Sequence, residues 1–276
     1  MSISAADVKE LRDRTGAGMM DCKKALAEAN GDMDAAIEIL RKKGQKVSEK
    51  RADREANQGL IVTHISDDGT KAVALALNCE TDFVARNDEF VKAAEDFAKI
   101  AYDNDISTVE ALKQAELDGR TIEEHLKELV GKIGEKIEIS RMELVNTDGS
   151  IVSYIHPGNQ LAVLVDFSDG VEENVGKDVA MQIAAMNPIA VRKDEVPTDV
   201  VNKEIEIAKE QLINEGKPVE IAEKAAQGKL RRFYEERVLL DQKFVKDSSM
   251  SVRDYLKTNN ASDVKSFYRL QLGESN

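Results

Sequence analysis

One internal repeat limits what this chain can fold into more than any other feature. Gly59-Leu60-Ile61-Val62-Thr63-His64-Ile65 returns as Gly149-Ser150-Ile151-Val152-Ser153-Tyr154-Ile155, an offset of 149 − 59 = 90 residues. Self-similarity at a fixed spacing marks one supersecondary unit used twice. Each segment alternates in the manner of a half-buried strand. Each is followed by a glycine turn, Asp68-Gly69 or Pro157-Gly158, and then by an aliphatic strand, Lys71 to Leu77 or Gln160 to Phe167. An amphipathic helix is expected after each hairpin. The first runs from about Glu89 to Tyr102, with Phe90, Val91, Ala94, Phe97, Ala98 and Ala101 as its stripe; the second carries Val175, Val179, Ile183 and Met186.

The copies differ between strand and helix. Leu75 is matched with Leu164, an offset of 164 − 75 = 89, and Phe90 with Val175, an offset of 175 − 90 = 85. The first copy is therefore longer by 89 − 85 = 4 residues, which fall around Thr81-Asp82-Phe83 within Asn78-Cys79-Glu80-Thr81-Asp82-Phe83-Val84-Ala85-Arg86-Asn87. Position alone favours Phe83 as a core plug and Asp82 as a turn cap. A plug common to both copies would not need an insertion. The extra residues point instead to an exposed tip, held where a rigid strand hands over to a helix.

Before the repeat, the first ~45 residues read as short helices making a core that is marginal alone. Ser4 and Asp7 open the first, with Val8 and Leu11 on one face; Gly16 and Gly18 break it. Met19 to Ala29 forms the second, ended by Asn30-Gly31, and Asp32 caps a third that Gly44 should stop after Ile37 and Leu40. Such units serve as docking modules. Met19 and Met20 read as core filler, or else as an adaptable exposed patch. From Arg41 to Arg54 the chain turns basic, and residues 46–57 read as a solvated linker, with contact to an acidic partner or ribosomal RNA as the alternative.

Between the copies, Ser107 with Glu110 and Thr121 with Glu124 should cap two helices, and Lys136 to Val145 a strand. After the second copy, Thr198 to Glu215 and Val219 to about Ala226, turned by Gly216-Lys217-Pro218 and interrupted at Gly228, form a helical hairpin. Its apolar stripe (Val201, Ile205, Ala208, Leu212) is narrow, so it packs on itself or on a second protomer, and homodimerisation through the core or the hairpin is the accompanying expectation. Phe244-Val245 follow in a loop, Ser251 with Asp254 caps a further helix, and Val264 to Leu272 closes as a strand in the second sheet.

A formal charge of −13 argues against nucleic acid as the main ligand. Cys22 and Cys79 fall in separate units and His64, His125 and His156 lack ligand spacing, so neither a metal nor a cofactor is expected. Cys79, His64 and Asp82 have the types for a thiol-imidazole-carboxylate set, but no spacing brings them together in those roles. With a polar N-terminus and no apolar run approaching the ~18 residues of a membrane span, the expected setting is the cytoplasm. No sequence feature supports an active site.

The run VKELRDRTGAGMMDCKKALAEANGDMDAAIEILRKKG, the segment NCETDFVARNDEF and the run GKPVEIAEKAAQGKL together resemble bacterial translation elongation factor Ts over almost the whole chain. The resemblance implies a guanine-nucleotide exchange factor for elongation factor Tu, with no covalent chemistry. It implies an α+β fold: a three-helix, ubiquitin-associated-like docking module (1–45), the basic linker (46–57), and two related hairpin-plus-helix core subdomains (58–140, and 141–197 with 229–276), the second carrying the inserted helical hairpin (198–228). Arg12, Met19, Met20 and Lys23 match the docking motif of the family. Asp82 and Phe83, with Thr81 beside them on the tip, match its intruding pair, whose aromatic ring wedges near the partner's magnesium site, disturbs ion and phosphate binding and frees GDP. His156, Phe244 and Val245 fall at further contact regions, where Lys246 stands in place of a second apolar residue. Longer members continue past the final strand into a helical module, whereas this chain stops at Gly273-Glu274-Ser275-Asn276. A ribosome- or RNA-associated adaptor without exchange activity is the alternative.

Overall fold

The computed structural model describes residues 3–274, so the terminal Ser275-Asn276 lie outside it. The chain begins with helices α1 (Ala5–Thr15), α2 (Met19–Glu28) and α3 (Met33–Arg51). Ser4 and Asp7 form a reciprocal capping box at the start of α1, and Asp32 caps α3. Strands β1 (Gln58–Ile65) and β2 (Lys71–Cys79) form the first hairpin, followed by the one-turn helix α4 (Asp82–Ala85) and by α5 (Asp88–Asp103). Helix α6 (Val109–Gln114), a short ribbon of β3 (Glu116–Leu117) and β4 (Arg120–Thr121), α7 (Ile122–Ile133) and β5 (Ile137–Asn146) complete that half. Strands β6 (Ser150–Ile155) and β7 (Leu161–Phe167) form the second hairpin, with α8 (Glu173–Met186) behind it. The long helices α9 (Thr198–Asn214) and α10 (Val219–Arg237) then lead to β8 (Lys243–Phe244), β9 (Asp247–Ser251), α11 (Val252–Thr258) and β10 (Val264–Gln271). Helices and small antiparallel sheets share the chain, an α+β arrangement.

The two main sheets are ordered β1-β2-β5 and β10-β7-β6, antiparallel throughout. They pack face to face through Ile61, Ala72, Ala74 and Ala76 on one side and Ile151, Ala162, Leu164 and Leu270 on the other. The far face of the first sheet is covered by α5, α6 and α7, where Leu75, Leu77, Phe90, Phe97, Leu112 and Leu126 pack. Val163, Val165, Phe167, Val175, Val179 and Ile183 do the same behind the second. Central strands covered on both faces are apolar on both, which is why β2 and β7 read as largely aliphatic runs, broken by the buried Asn78 and Asp166.

The repeat is built as a pair of equivalent halves. The Ile61 amide donates to the Asn159 carbonyl at 2.7 Å and the Ile151 amide to the Gly69 carbonyl at 2.7 Å, with 151 − 61 = 90 and 159 − 69 = 90. At Gly59 a Cβ would collide with the Leu77 carbonyl oxygen, and at Gly149 with that of Phe167, again the same approach made twice. Register corrects one match. Ile61 faces Ala76 and Ile151 faces Asp166, so the partner strands also stand 166 − 76 = 90 apart. Leu75 therefore corresponds to Val165, on the helix-covered face, and not to Leu164, which lies between the sheets. The insertion in the first copy is then 90 − 85 = 5 residues.

Other expectations fail for local reasons. Gly44 does not stop α3, which runs on to Arg51 because Gly44 meets Gly131 of α7 where two helix backbones approach closely. Much of the expected linker 46–57 is thus helical. Gly228 does not interrupt α10, whose continuous course to Arg237 lengthens the hairpin beyond residue 228. Thr108, not Ser107, caps α6 by accepting from the Ala111 amide. The capping boxes Thr121/Glu124 and Ser251/Asp254 form as read.

Candidate functional site: a clamped turn with an exposed aromatic ring

The insertion forms α4, a single turn that the second copy lacks between Phe167 and Glu173. Thr81 enters it in extended conformation and caps it, its hydroxyl accepting from the Val84 amide at 3.5 Å. Asn87 caps the next helix by accepting from the Glu89 and Phe90 amides. Thr81 thereby satisfies a backbone donor that so short a turn would leave open, and Asn87 does the same for α5. Val84 and Ala85 pack against the core beneath. Phe83 points the other way and is 84% exposed, whereas Phe90 and Phe97 are at 0% and 1%. Phe83 is not a core plug. Beside it, Asp82 accepts from the Arg86 guanidinium at 3.0 Å.

Two carboxylates fix the base of this turn. Glu135 accepts from the Glu80 amide (3.1 Å), the Thr81 amide (3.0 Å) and the Thr81 hydroxyl (2.7 Å). It is brought there because Gly134, at φ 81°, ends α7 and returns the chain into β5, whose Ile137 pairs with Cys79. Glu80 accepts from the Lys136 amide at 2.6 Å and from Arg51 at 2.7 and 3.0 Å. Burial opposes ionisation of Glu80, but the Lys136 amide and the Arg51 guanidinium outweigh it and hold the carboxyl below its usual range. The Cys79 thiol donates to the Thr81 carbonyl at 3.1 Å. Burial, with the Glu135 charge adding to it, pushes that thiol up to about 12.

Those contacts dispose of the thiol set. His64 stacks edge-on against Tyr102 at 4.5 Å and Asp82 is turned to Arg86, so neither serves Cys79. Among the described residues no group of three or more His, Cys, Asp or Glu side chains is arranged to hold a metal ion, and no helix is long and apolar enough to cross a membrane.

His156 comes to the same end of the molecule as Phe83. Its turn bonds to the start of β1 through Asn159 and through Gln160, whose amide donates to the Gln58 side chain at 3.2 Å; Gln58 in turn pairs with Cys79. The exposed His156 ring has Nδ1 2.9 Å from the Tyr154 hydroxyl. In the N-terminal helices Arg12, Met19, Met20 and Lys23 are all exposed. Met19 and Met20, at 61% and 64%, are not core filler; Val8, Leu11, Cys22, Ala25, Leu26 and Ala36 make that core.

Phe244 and Val245 part. Phe244 is 3% exposed and stacks on Tyr255 at 4.1 Å, a core side chain in β8 and not a loop contact. Val245 is exposed, its amide held by Gln182 at 2.8 Å. The basic run is partly neutralised in place, with Lys43 on Asp21, Lys42 on Glu38 and Arg51 on Glu80. Glu135, Glu80 and Arg51 escaped the reading of the sequence. Only the acid directly after a helix-ending glycine hinted at the first.

Compared with known proteins, residues 80–274 match the family model described as Elongation factor TS. A protein named Elongation factor Ts from Christiangramia forsetii is 50% identical over 274 residues, covering 98% of this chain and 99% of that one. Its namesake from Amoebophilus asiaticus is 49% identical, covering 99% and 100%, and that from Prosthecochloris aestuarii 46%, covering 98% and 99%. With half its residues shared along almost its full length, and with the clamped turn lying inside the matched region, the chain belongs to the elongation factor Ts family.

Proposed function

We propose that the chain is a guanine-nucleotide exchange factor that binds elongation factor Tu carrying GDP and promotes GDP release during translation elongation in the cytoplasm. The observation that carries this reading is the Phe83 ring, 84% exposed on a turn capped by Thr81 and clamped at its base. Leaving a phenylalanine in water forgoes roughly 2 kcal/mol of burial. A ring kept out at that cost, on a turn already ordered, loses little further entropy when it enters a partner's pocket.

In this reading Arg12, Met19, Met20 and Lys23 dock the N-terminal three-helix module, of the ubiquitin-associated-like kind, on the partner's GTP-binding domain. Phe83, shaped by Thr81 and Asp82, wedges beside the magnesium and phosphate site, and His156 and Val245 add contacts. The chain does no covalent chemistry. It couples two binding equilibria, so whatever it takes from nucleotide affinity the nucleotide takes from its own; each ~1.4 kcal/mol of coupling is worth about tenfold. Release of fluorescent GDP from elongation factor Tu, followed with increasing amounts of the chain, tests the reading. It predicts acceleration that saturates; a release rate unchanged at every concentration rejects it.

A further inference from the structure

We propose that the contact between α3 and α7 is a fixed joint, in which Gly44 and Gly131 are positioning residues that set the N-terminal module against the Phe83 tip so that both meet one partner at once. This rests on the exchange reading above.

Three contacts make the joint. At the first, a Cβ on Gly131 would stand 2.7 Å from the Gly44 Cα, and one on Gly44 3.3 Å from the Lys127 carbonyl oxygen. Two helix backbones meet there with nothing between them. The second lies further along α3, where Arg51 reaches Glu80 at the base of the tip. From Gly44 to Arg51 the helix advances about 10 Å, at ~1.5 Å per residue. The third lies off that line. The carbon stem of Lys132 runs beneath Gly16, in the loop between α1 and α2, so closely that a Cβ there would be 2.8 Å from Cε. Its ammonium bonds Glu89, just past the tip, at 2.7 Å and Glu128 at 3.3 Å. Three points not on one line fix one body against another.

The joint also has a tie to the clamp: Gly131 and Lys132 lie on the helix whose end delivers Glu135 to Thr81. Two contact regions held at a fixed spacing turn the second binding event into an intramolecular one, which is worth orders of magnitude in apparent affinity only when the spacing suits the partner. The backbone approach at Gly44 and Gly131 is what supplies the spacing here, since a side chain forced between two helices that touch there must push them apart.

The test uses the full chain in three forms: parent, Gly131→Leu, and Gly228→Leu as a control at a helical glycine with open space around it. Leucine favours helix over glycine at both sites, so only the first forces a side chain into a contact. Each form is followed by melting, by the distance between spin labels at Glu28→Cys and Asp118→Cys, and by GDP release as a function of its concentration. For Gly131→Leu the proposal predicts a shifted or broadened distance and a half-saturating concentration raised about 10-fold or more, with the maximal rate within about twofold because the tip is intact. The control should match the parent in all three. An unchanged distance, or a changed distance with unchanged half-saturation, overturns the proposal. Should Gly131→Leu fail to melt cooperatively, Lys132→Ala, which adds no volume, is read in the same two ways. A parent that never accelerates release rejects the exchange reading instead, and the distance measurement alone then judges the joint.

Discussion

Glu135 holds the tip through three hydrogen bonds to two consecutive residues, and its carboxylate is the shared acceptor of all of them. Hydrogen bonds to a charged group contribute about 1.5–3 kcal/mol each, so this one side chain decides whether α4 is a fixed turn or a loose loop. Glu135→Ala should cost a few kcal/mol of stability and, in the fraction that stays folded, lower the maximal rate of GDP release about 10-fold or more, with the half-saturating concentration little changed. Stopped-flow release at saturating factor checks this; a parental maximal rate would show that the turn keeps its shape without the clamp. Phe83 was legible in the sequence because an insertion between repeats is a local fact. Glu135 was not, because its partners lie 54 and 55 residues away and no spacing rule connects a strand-leading acid to them. Phe244 misled in the opposite way. Read as part of a loop and matched to a contact region of the family, it is buried in the second core and stacked on Tyr255, a tertiary placement that no local pattern announces.

Helices and strands were legible where a local rule decides them. Ser4, Thr121 and Ser251 each make the capping box their neighbours announce. Glycine inside a helix was misread at Gly44 and Gly228 because its cost of about 1 kcal/mol can be offset by a close approach or simply carried by a long helix. Element packing then governs two expectations. Glu80 joins α3, β2 and β5, and its carboxyl sits below the ordinary glutamate value of 4.5. A lowered value in the folded state means stability that is complete above 4.5 and lost as pH falls through the folded value. Replacing it by glutamine should therefore lower the melting temperature at neutral pH, with a deficit that shrinks below about pH 4.5. A pH-independent deficit would mean that charge plays no part.

The hairpin of α9 and α10 packs on itself at its outer half through Ile205, Ala208, Leu212, Ala222 and Ala226, while Val200, Val201, Phe233 and Tyr234 root it beside Val238. Replacing residues 205–229 by a short turn should leave the root folded and GDP release within about threefold, less than the tenfold that ~1.4 kcal/mol represents. Collapse of exchange with an intact melt would place part of the interface on the hairpin.

At the scale of the molecule, two equivalent hairpins share one inter-sheet core, and the departure from their equivalence is where the account places function. The second copy shows what folding requires: strand, short loop, helix. The first adds α4, with Val84 and Ala85 turned inward and Phe83 outward. Truncating an exposed ring should cost the fold almost nothing, while losing an aromatic anchor from a partner's pocket costs about 2 kcal/mol or more. The most direct measurement is therefore paired: thermal melting of Phe83→Ala beside its acceleration of GDP release from elongation factor Tu. The account predicts a melting temperature within about 1–2 °C of the parent, as befits a surface change, with release accelerated at least ~10-fold less. A variant that melts like the parent and still releases GDP at the parental rate would contradict it.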